Sequence, residues 1–291
     1  MSWLLAPVLA LFVLQDEPEW KEGFADSDGV KIHYVELGEG PLVVLIHGFP
    51  DYWYSWRHQM PALAEHHHVV AIDQRGYNKS GQPEGVEAYA MERLVSDVEA
   101  VIDHHGAEQA TVVGHDWGGF VAWNFAMSRP EFTERLIILN LPHPTCLQRE
   151  LATNENQRRN SQYARNFQKP EAGRFMRASM LGGWVKDPAA QKKYAEALGR
   201  SSIEGMLNYY KANYPREPYE LPEAAPPMVQ CDVLQIHGMK DTYLLAGALD
   251  GTWKYVQGEW TLLTIPEAGH FVQHEAAERV TAAMLEWLAR D

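Results

Sequence analysis

Thiols are scarce in this chain. Cys146 and Cys231 are its 2 cysteines, too few for a disulfide framework. Cys231 opens an apolar run and reads as a small core residue. Long apolar runs are missing too. The candidate at residues 2–14 (SWLLAPVLALFVL) is too short to span a bilayer, which excludes an integral membrane span. Positive charge is also short: Lys and Arg total 25 against 39 Asp and Glu, a net charge of −14. A nucleic-acid backbone repels such a surface, so no nucleic-acid partner is expected. No internal repeat or low-complexity segment is visible. What remains is 291 residues, 46% of them apolar, enough for a large core.

The N-terminal segment 1–20 fits two readings. Residues 2–14 serve as the core of a signal peptide, or as a helix packed on the body or on a second subunit. No Lys or Arg precedes them and no small-x-small cleavage site follows. Cytoplasmic and exported locations therefore both stay open, as do monomer and homodimer. The 13 histidines invite a metal reading. However, His66-His67-His68 and His104-His105 are consecutive, so their side chains diverge. Solvated loops are expected there and no metal site.

Taken in order, strands are expected at 30–37, 41–47 and 69–73, with a helix over 53–64. A long amphipathic helix follows at 88–105. The β-branched run at 110–113 is a strand, Phe120 to Ser128 a core helix, and 134–140 the next strand. Such alternation implies an α/β class with a mostly parallel central sheet covered by helices on both faces. From 142 to 227 the alternation stops in favour of helical, Tyr- and Arg-rich sequence closed by PYELPEAAPP. That stretch is expected to be an inserted helical lid, leaving 21–141 and 228–291 as the core. Strands resume at 233–237 and 260–265, a helical stretch is expected at 247–257, and an amphipathic helix at 272–290.

Between the strand ending at Val113 and its helix lies Gly114-His115-Asp116-Trp117-Gly118. A strand, a Gly-x-nucleophile-x-Gly turn and a helix make the nucleophile elbow of an α/β-hydrolase. The usual residue at its tip is Ser; here it is Asp116. A carboxylate is already anionic at neutral pH and can displace a leaving group at saturated carbon. The result is an ester on the enzyme that needs its own hydrolysis. Epoxides and alkyl halides are the substrates this chemistry suits. Asp241 and His270 each follow a strand, completing the nucleophile–acid–histidine order. Asp241 would orient His270, and His270 would activate the hydrolytic water. Asn140 follows another strand, where an amide cannot serve as the acid. The loop His47-Gly48-Phe49-Pro50 faces the elbow in this fold, and the amides of Phe49 and Trp117 are the expected oxyanion hole. His47, Pro50 and Trp53 are expected in the substrate pocket.

These motifs resemble the α/β-hydrolase epoxide hydrolases of the soluble type. The matching stretches are HGFPDYWYSWR (47–57), DQRGYNKSG (73–81), GHDWGG (114–119), SQYARNFQKP (161–170), LNYYKANY (207–214), HGMKD (237–241) and GH (269–270). The resemblance implies that Tyr163 and Tyr210 reach from the lid to hydrogen-bond the epoxide oxygen, with Tyr209 turned into packing. It further implies a small hydrophobic epoxide as substrate and no metal or organic cofactor. Asn78 stands where the family usually has Gly, and Asn tolerates a left-handed backbone. Haloalkane dehalogenases share GHDWGG but typically carry Asn where Phe49 offers no donor. Fluoroacetate dehalogenases have arginines where Trp117 and Phe120 stand. A ligand-binding protein of the same fold remains an alternative, but a receptor has no need of Asp241 and His270 together.

Overall fold

The computed structural model describes residues 18–177, 181–221 and 224–290. The segment 2–14, with its two readings, lies outside them. An eight-stranded sheet runs in the order β1-β2-β4-β3-β5-β6-β7-β8. Its strands are β1 Lys21–Ser27, β2 Val30–Leu37, β3 Leu42–Ile46, β4 His68–Ile72, β5 Ala110–His115, β6 Thr133–Leu139, β7 Asp232–Gly238 and β8 Trp260–Ile265. β2 pairs antiparallel with β1 and β4, and all other pairings are parallel.

The buried strands read as continuous apolar runs because both of their faces are covered. Val44, Ile46, Val112, Leu136 and Ile138 pack into one core, while Val43, Leu45, Val113, Ile137 and Leu139 pack into another. Successive side chains on a strand point to opposite faces, so one run supplies both cores. Helices α2 (Met91–His104) and α3 (Trp117–Ser128) contribute to the first core. Helices α1 (Met60–Leu63) and α10 (Ala277–Leu288) contribute to the second.

Three expected helices are shorter or broken. The stretch 53–64 is a 3₁₀ turn at Trp53–Trp56 followed by α1. Pro61 has no N–H to donate and is tolerated only in a first turn, so α1 cannot start earlier. The stretch 247–257 is two 3₁₀ turns, Ala246–Leu249 and Thr252–Tyr255, parted by Gly251 at φ +82°. The final helix is divided at Ala276 into α9 (Val272–Glu275) and α10. In the other direction, β1 is an unexpected strand. It joins β2 through Asp28 and Gly29, both with positive φ (52° and 84°), as a two-residue hairpin turn requires.

Between β6 and β7 the described residues hold no strand. They form α4 (Pro144–Thr153), α5 (Glu155–Asn160), α6 (Gln162–Phe167), α7 (Pro188–Arg200) and α8 (Ile203–Asn213). This helical segment is tied to the rest by polar side chains. The Tyr194 hydroxyl of α7 donates to the buried Asp51 carboxylate at 2.7 Å, and Tyr209 of α8 donates to the Arg75 carbonyl at 2.9 Å. Asn78 adopts φ +43°; its amide nitrogen donates to Asp73 at 2.7 Å and its oxygen accepts from Arg200 of α7 at 2.8 Å. No helix of the described residues is long and apolar enough to cross a membrane.

Candidate active site

Parallel strands deliver their loops to one edge of a sheet. Here the residues after β3, β5, β6, β7 and β8 supply Phe49, Asp116, Asn140, Asp241 and His270 in turn. Asp116 sits between β5 and α3 at φ 51°, ψ −120°, a conformation that costs an ordinary residue about 1–3 kcal/mol. The glycines around it make room. A Cβ on Gly118 would run into the carbonyl oxygen of Ile46, and one on Gly114 into that of Gly118. A Cβ on Gly48 would lie 2.7 Å from Asp116 Oδ1. Close approach of the β3 loop to the elbow therefore demands glycine.

That approach brings the Phe49 amide to Asp116 Oδ1, where it donates at 2.8 Å. Trp117 supplies the next amide as the first residue of α3. The other carboxylate oxygen, Oδ2, lies 3.4 Å from His270 Nε2. On the far side of the ring, His270 Nδ1 donates to Asp241 Oδ2 at 2.8 Å.

Asp241 is held from several directions. Its Oδ1 accepts from the amides of Tyr243 (2.7 Å) and Leu244 (3.0 Å), and its Oδ2 accepts from Asn140 Nδ2 at 2.7 Å. Asn140 is the residue excluded as an acid from sequence, and its actual position is one step back. It orients the acid, while its own Oδ1 accepts from Gly238 N–H at 3.0 Å. The signal was its place after a strand; which group it would touch was not readable. His115 is a second such residue, donating from Nε2 to the His270 carbonyl at 2.8 Å.

Charges follow from these contacts. Burial opposes ionisation of Asp241, but His270, Asn140 and the Leu244 amide outweigh it and hold the carboxyl below its usual range. Asp116 is lowered in the same way, burial being overcome by His270 and then by His115 and the Phe49 amide. For His270, burial favours the neutral ring, yet the Asp241 charge and the contacts with Asp116 push it up to about 10. The resting site is thus a histidinium between two carboxylates.

The helical segment between β6 and β7 closes over this edge. A cavity of about 270 Å³ is lined by Asp116 and His270, by Phe49 and Pro50 of the β3 loop, and by Tyr163, Phe167, Leu181, Trp184 and Tyr210 from the helical segment. A second lobe of about 20 Å³ shares Asp116, Tyr163 and Tyr210, and is otherwise walled by Trp117, Phe120, Leu141, Leu147, Tyr214 and Leu244. The two tyrosines and Asp116 therefore stand where the lobes meet. Burial first, with neighbouring tyrosines and the Asp116 charge adding, pushes both phenols well above the usual range. They are protonated donors at neutral pH. The Trp117 indole packs edge-on against Tyr210, 4.9 Å between centroids.

Two expected pocket residues are elsewhere. His47 is fully buried, with Nδ1 donating to the Gly48 carbonyl at 2.8 Å and Nε2 accepting from Gln74 N–H at 3.1 Å. It braces the loop from behind and does not line the cavity. Trp53 packs on Trp20, 5.3 Å between centroids, and its amide donates to Asp73. The ring is committed to the core below the loop. Leu181, Trp184, Tyr243 and Phe271 take the wall instead; no sequence spacing marked them, because their meeting depends on how the helical segment folds back.

Comparison with known proteins agrees with this architecture. Residues 41–277 match the α/β-hydrolase fold family. Epoxide hydrolase A of Mycobacterium tuberculosis is 33% identical over 92% of this chain and 97% of its own length. Epoxide hydrolase 1 of Caenorhabditis elegans is 31% identical over 92% of this chain and 70% of its own. The crystal structure of Bacillus megaterium epoxide hydrolase in complex with an inhibitor superposes with a TM-score of 0.85, at 34% identity, covering 92% of this chain and all (100%) of that one. With its sheet order, its Asp-tipped elbow and relatives of this kind along nearly its whole length, the chain belongs to the α/β-hydrolase fold family and, within it, to the epoxide hydrolases.

Proposed function

We propose that this protein opens apolar epoxides to vicinal diols in two half-reactions, with residues 142–227 acting as the lid. The observation that carries the proposal is the meeting of an anionic Asp116 and two protonated phenols, Tyr163 and Tyr210, on one apolar cavity.

In the first half, Asp116 Oδ2 attacks an epoxide carbon. Oδ2 is the freer oxygen, since Oδ1 already accepts from the Phe49 amide. The C–O bond of the ring breaks, its electron pair stays on the departing oxygen, and a tyrosine hydroxyl hydrogen-bonds and protonates that oxygen. In the second half, His270 removes a proton from water and the hydroxide adds to the Asp116 carbonyl carbon. The Phe49 and Trp117 amides hold the resulting oxyanion on Oδ1. Collapse breaks the bond from Cγ to Oδ2, which leaves in the diol. The alkoxide takes the proton that His270 drew from water, the acid proton left on Asp116 returns the tyrosinate to its phenol, and the water oxygen remains in the carboxylate.

The charge arrangement times these steps. His270 is a poor base while Asp116 is anionic. Ester formation removes the Asp116 charge, and the pull that kept His270 protonated weakens. Acid therefore spares the first half, which needs only ionised Asp116, and slows the second, which needs neutral His270. Rapid-quench mass spectrometry is expected to show the ester-bearing fraction rising as pH is lowered below neutrality. A pH-independent fraction would remove His270 from the hydrolytic step.

Lobe sizes set the substrate class. About 20 Å³ accommodates one water-sized group, so one epoxide carbon is expected to be unsubstituted, its aryl or alkyl group occupying the larger lobe. Phe49, on the cavity wall beside Asp116, offers no side-chain donor to a halide, which disfavours a dehalogenase reading. One assay tests both points: styrene oxide, trans-stilbene oxide and a 1-bromoalkane are compared for diol and bromide release. Diol from styrene oxide at a rate well above the other two is expected. Bromide as the main product would support the dehalogenase, and neither product the ligand-binding reading.

A further inference from the structure

Three side chains meet at the sheet edge opposite the one that carries Asp116. Glu36 lies near the end of β2, His68 opens β4, and His105 caps the C-terminus of α2. β4 runs parallel to β3 with His68 level with Leu42, the first residue of β3, whereas Asp116 follows the last residue of β5. The consecutive histidines depart from the expected diverging side chains on solvated loops: the His104 and His105 rings meet edge-on, 5.2 Å between centroids, His105 is 6% exposed, and one histidine from each run converges on Glu36. His68 Nε2 is 2.8 Å from Glu36 Oε2, and His105 Nε2 is 3.3 Å from the same oxygen. The three candidate ligand atoms lie within 4.8 Å of one another.

The tautomer of His105 is fixed by its other nitrogen. Nδ1 lies 2.7 Å from the Val101 carbonyl, which can only accept, so Nδ1 carries the proton and Nε2 the lone pair. The side chain is 6% exposed, and Nε2 makes no hydrogen bond. A buried lone pair thus faces a carboxylate oxygen, and the two repel unless a cation lies between them. A proton on Nε2 would be one such cation, and a metal ion the other.

We infer that Glu36, His68 and His105 bind a divalent transition metal of the zinc class, with water completing the coordination. Two imidazoles and one carboxylate suit zinc, cobalt and nickel better than calcium or magnesium. Ligand atoms of a tetrahedral zinc site stand about 3.3 Å apart, against 2.8 and 3.3 Å from the Glu36 oxygen to the two imidazoles. The Val101 carbonyl already holds His105 in the ligating tautomer, the usual outer-shell partner of a metal-bound histidine. His68 must move its proton from Nε2 to Nδ1, and at 26% side-chain exposure its ring has water to accept from it. The C-terminal end of the 14-residue helix α2 presents its negative pole to a cation. A groove lined by Glu19, Lys21, Glu39 and His68 gives access from solvent. A metal here would pin β2, β4 and α2 together, remote from the hydrolytic chemistry.

The test uses tag-free, chelator-treated full-length protein. Zn²⁺ titrated by calorimetry is expected to bind at one ion per chain with micromolar or tighter Kd. Co²⁺ is expected to give the visible absorption of a low-coordinate site, a readout that needs no variant. Loss of an outer-shell partner alone costs about 10–100-fold in metal affinity, so His68→Gln and His105→Gln should each weaken Zn²⁺ by at least that much. His66→Gln and His67→Gln, in the same run, should leave it unchanged. Absence of stoichiometric Zn²⁺ or Co²⁺ binding to the unsubstituted protein would overturn the assignment, as would parental affinity in His68→Gln and His105→Gln.

Discussion

A His270→Gln protein mixed with excess styrene oxide gains the mass of one substrate molecule and then stalls. The first half-reaction survives, because Asp116 keeps its Phe49 amide and its His115 neighbour, and Tyr163 and Tyr210 are untouched. Only the step that needs a base is lost. General-base removal costs about 10²–10⁴-fold, so ester hydrolysis becomes slower than ester formation and the adduct persists long enough for intact-protein mass spectrometry. Peptide mapping is expected to place it on Asp116. An unmodified protein after the same treatment would mean either that no ester forms or that another group hydrolyses it. Asp116→Ala distinguishes these, since it should abolish both adduct and turnover. The substitution is well suited to the site, since Gln retains a donor near Asp241, whose carboxylate would otherwise lose its His270 partner at 2.8 Å.

Removing both phenols is expected to be as damaging at the other half of the cycle. In Tyr163→Phe plus Tyr210→Phe the rings still pack, Tyr210 against Trp117 and Phe49 and Tyr163 against Phe167 and Tyr243. The fold is therefore retained, but the departing oxygen has no acid. Each single variant should lose about 10–100-fold in kcat/KM and the double variant about 10³-fold or more. The loss should be in the rate of ester formation in single turnovers, with ester hydrolysis far less affected. Retained ester formation in the double variant would show that another acid opens the ring.

The parts of this molecule legible in its sequence are those governed by short-range rules. The β-branched runs at 42–46, 68–72 and 110–115 became strands because apolar residues on both faces leave a covered sheet as the way to bury them. The elbow was legible because glycine spacing is dictated by close backbone approach at Gly114 and Gly118. β1 escaped because its sequence, KEGFADS, is half-exposed and weakly apolar; the Asp28-Gly29 hairpin signal would have found it. Asn140 was placed at the right strand end and given too small a part, since its hydrogen bond to Asp241 spans 101 residues of chain. Proximity to Phe49 along the chain suggests His47 and Trp53 for the pocket. The loop turns both away, His47 against Gln74 and Trp53 onto Trp20. The same limit hid the meeting of His68 and His105, which local spacing cannot show.

The central claim concerns where water attacks. A single turnover in ¹⁸O-labelled water, with protein in excess over styrene oxide, separates the two possibilities. If water cleaves a tethered ester at the Asp116 carbonyl carbon, the label is found in the Asp116 side chain and the first diol is unlabelled. If the first diol carries the label and Asp116 carries none, water has opened the ring directly and the two-step account is wrong.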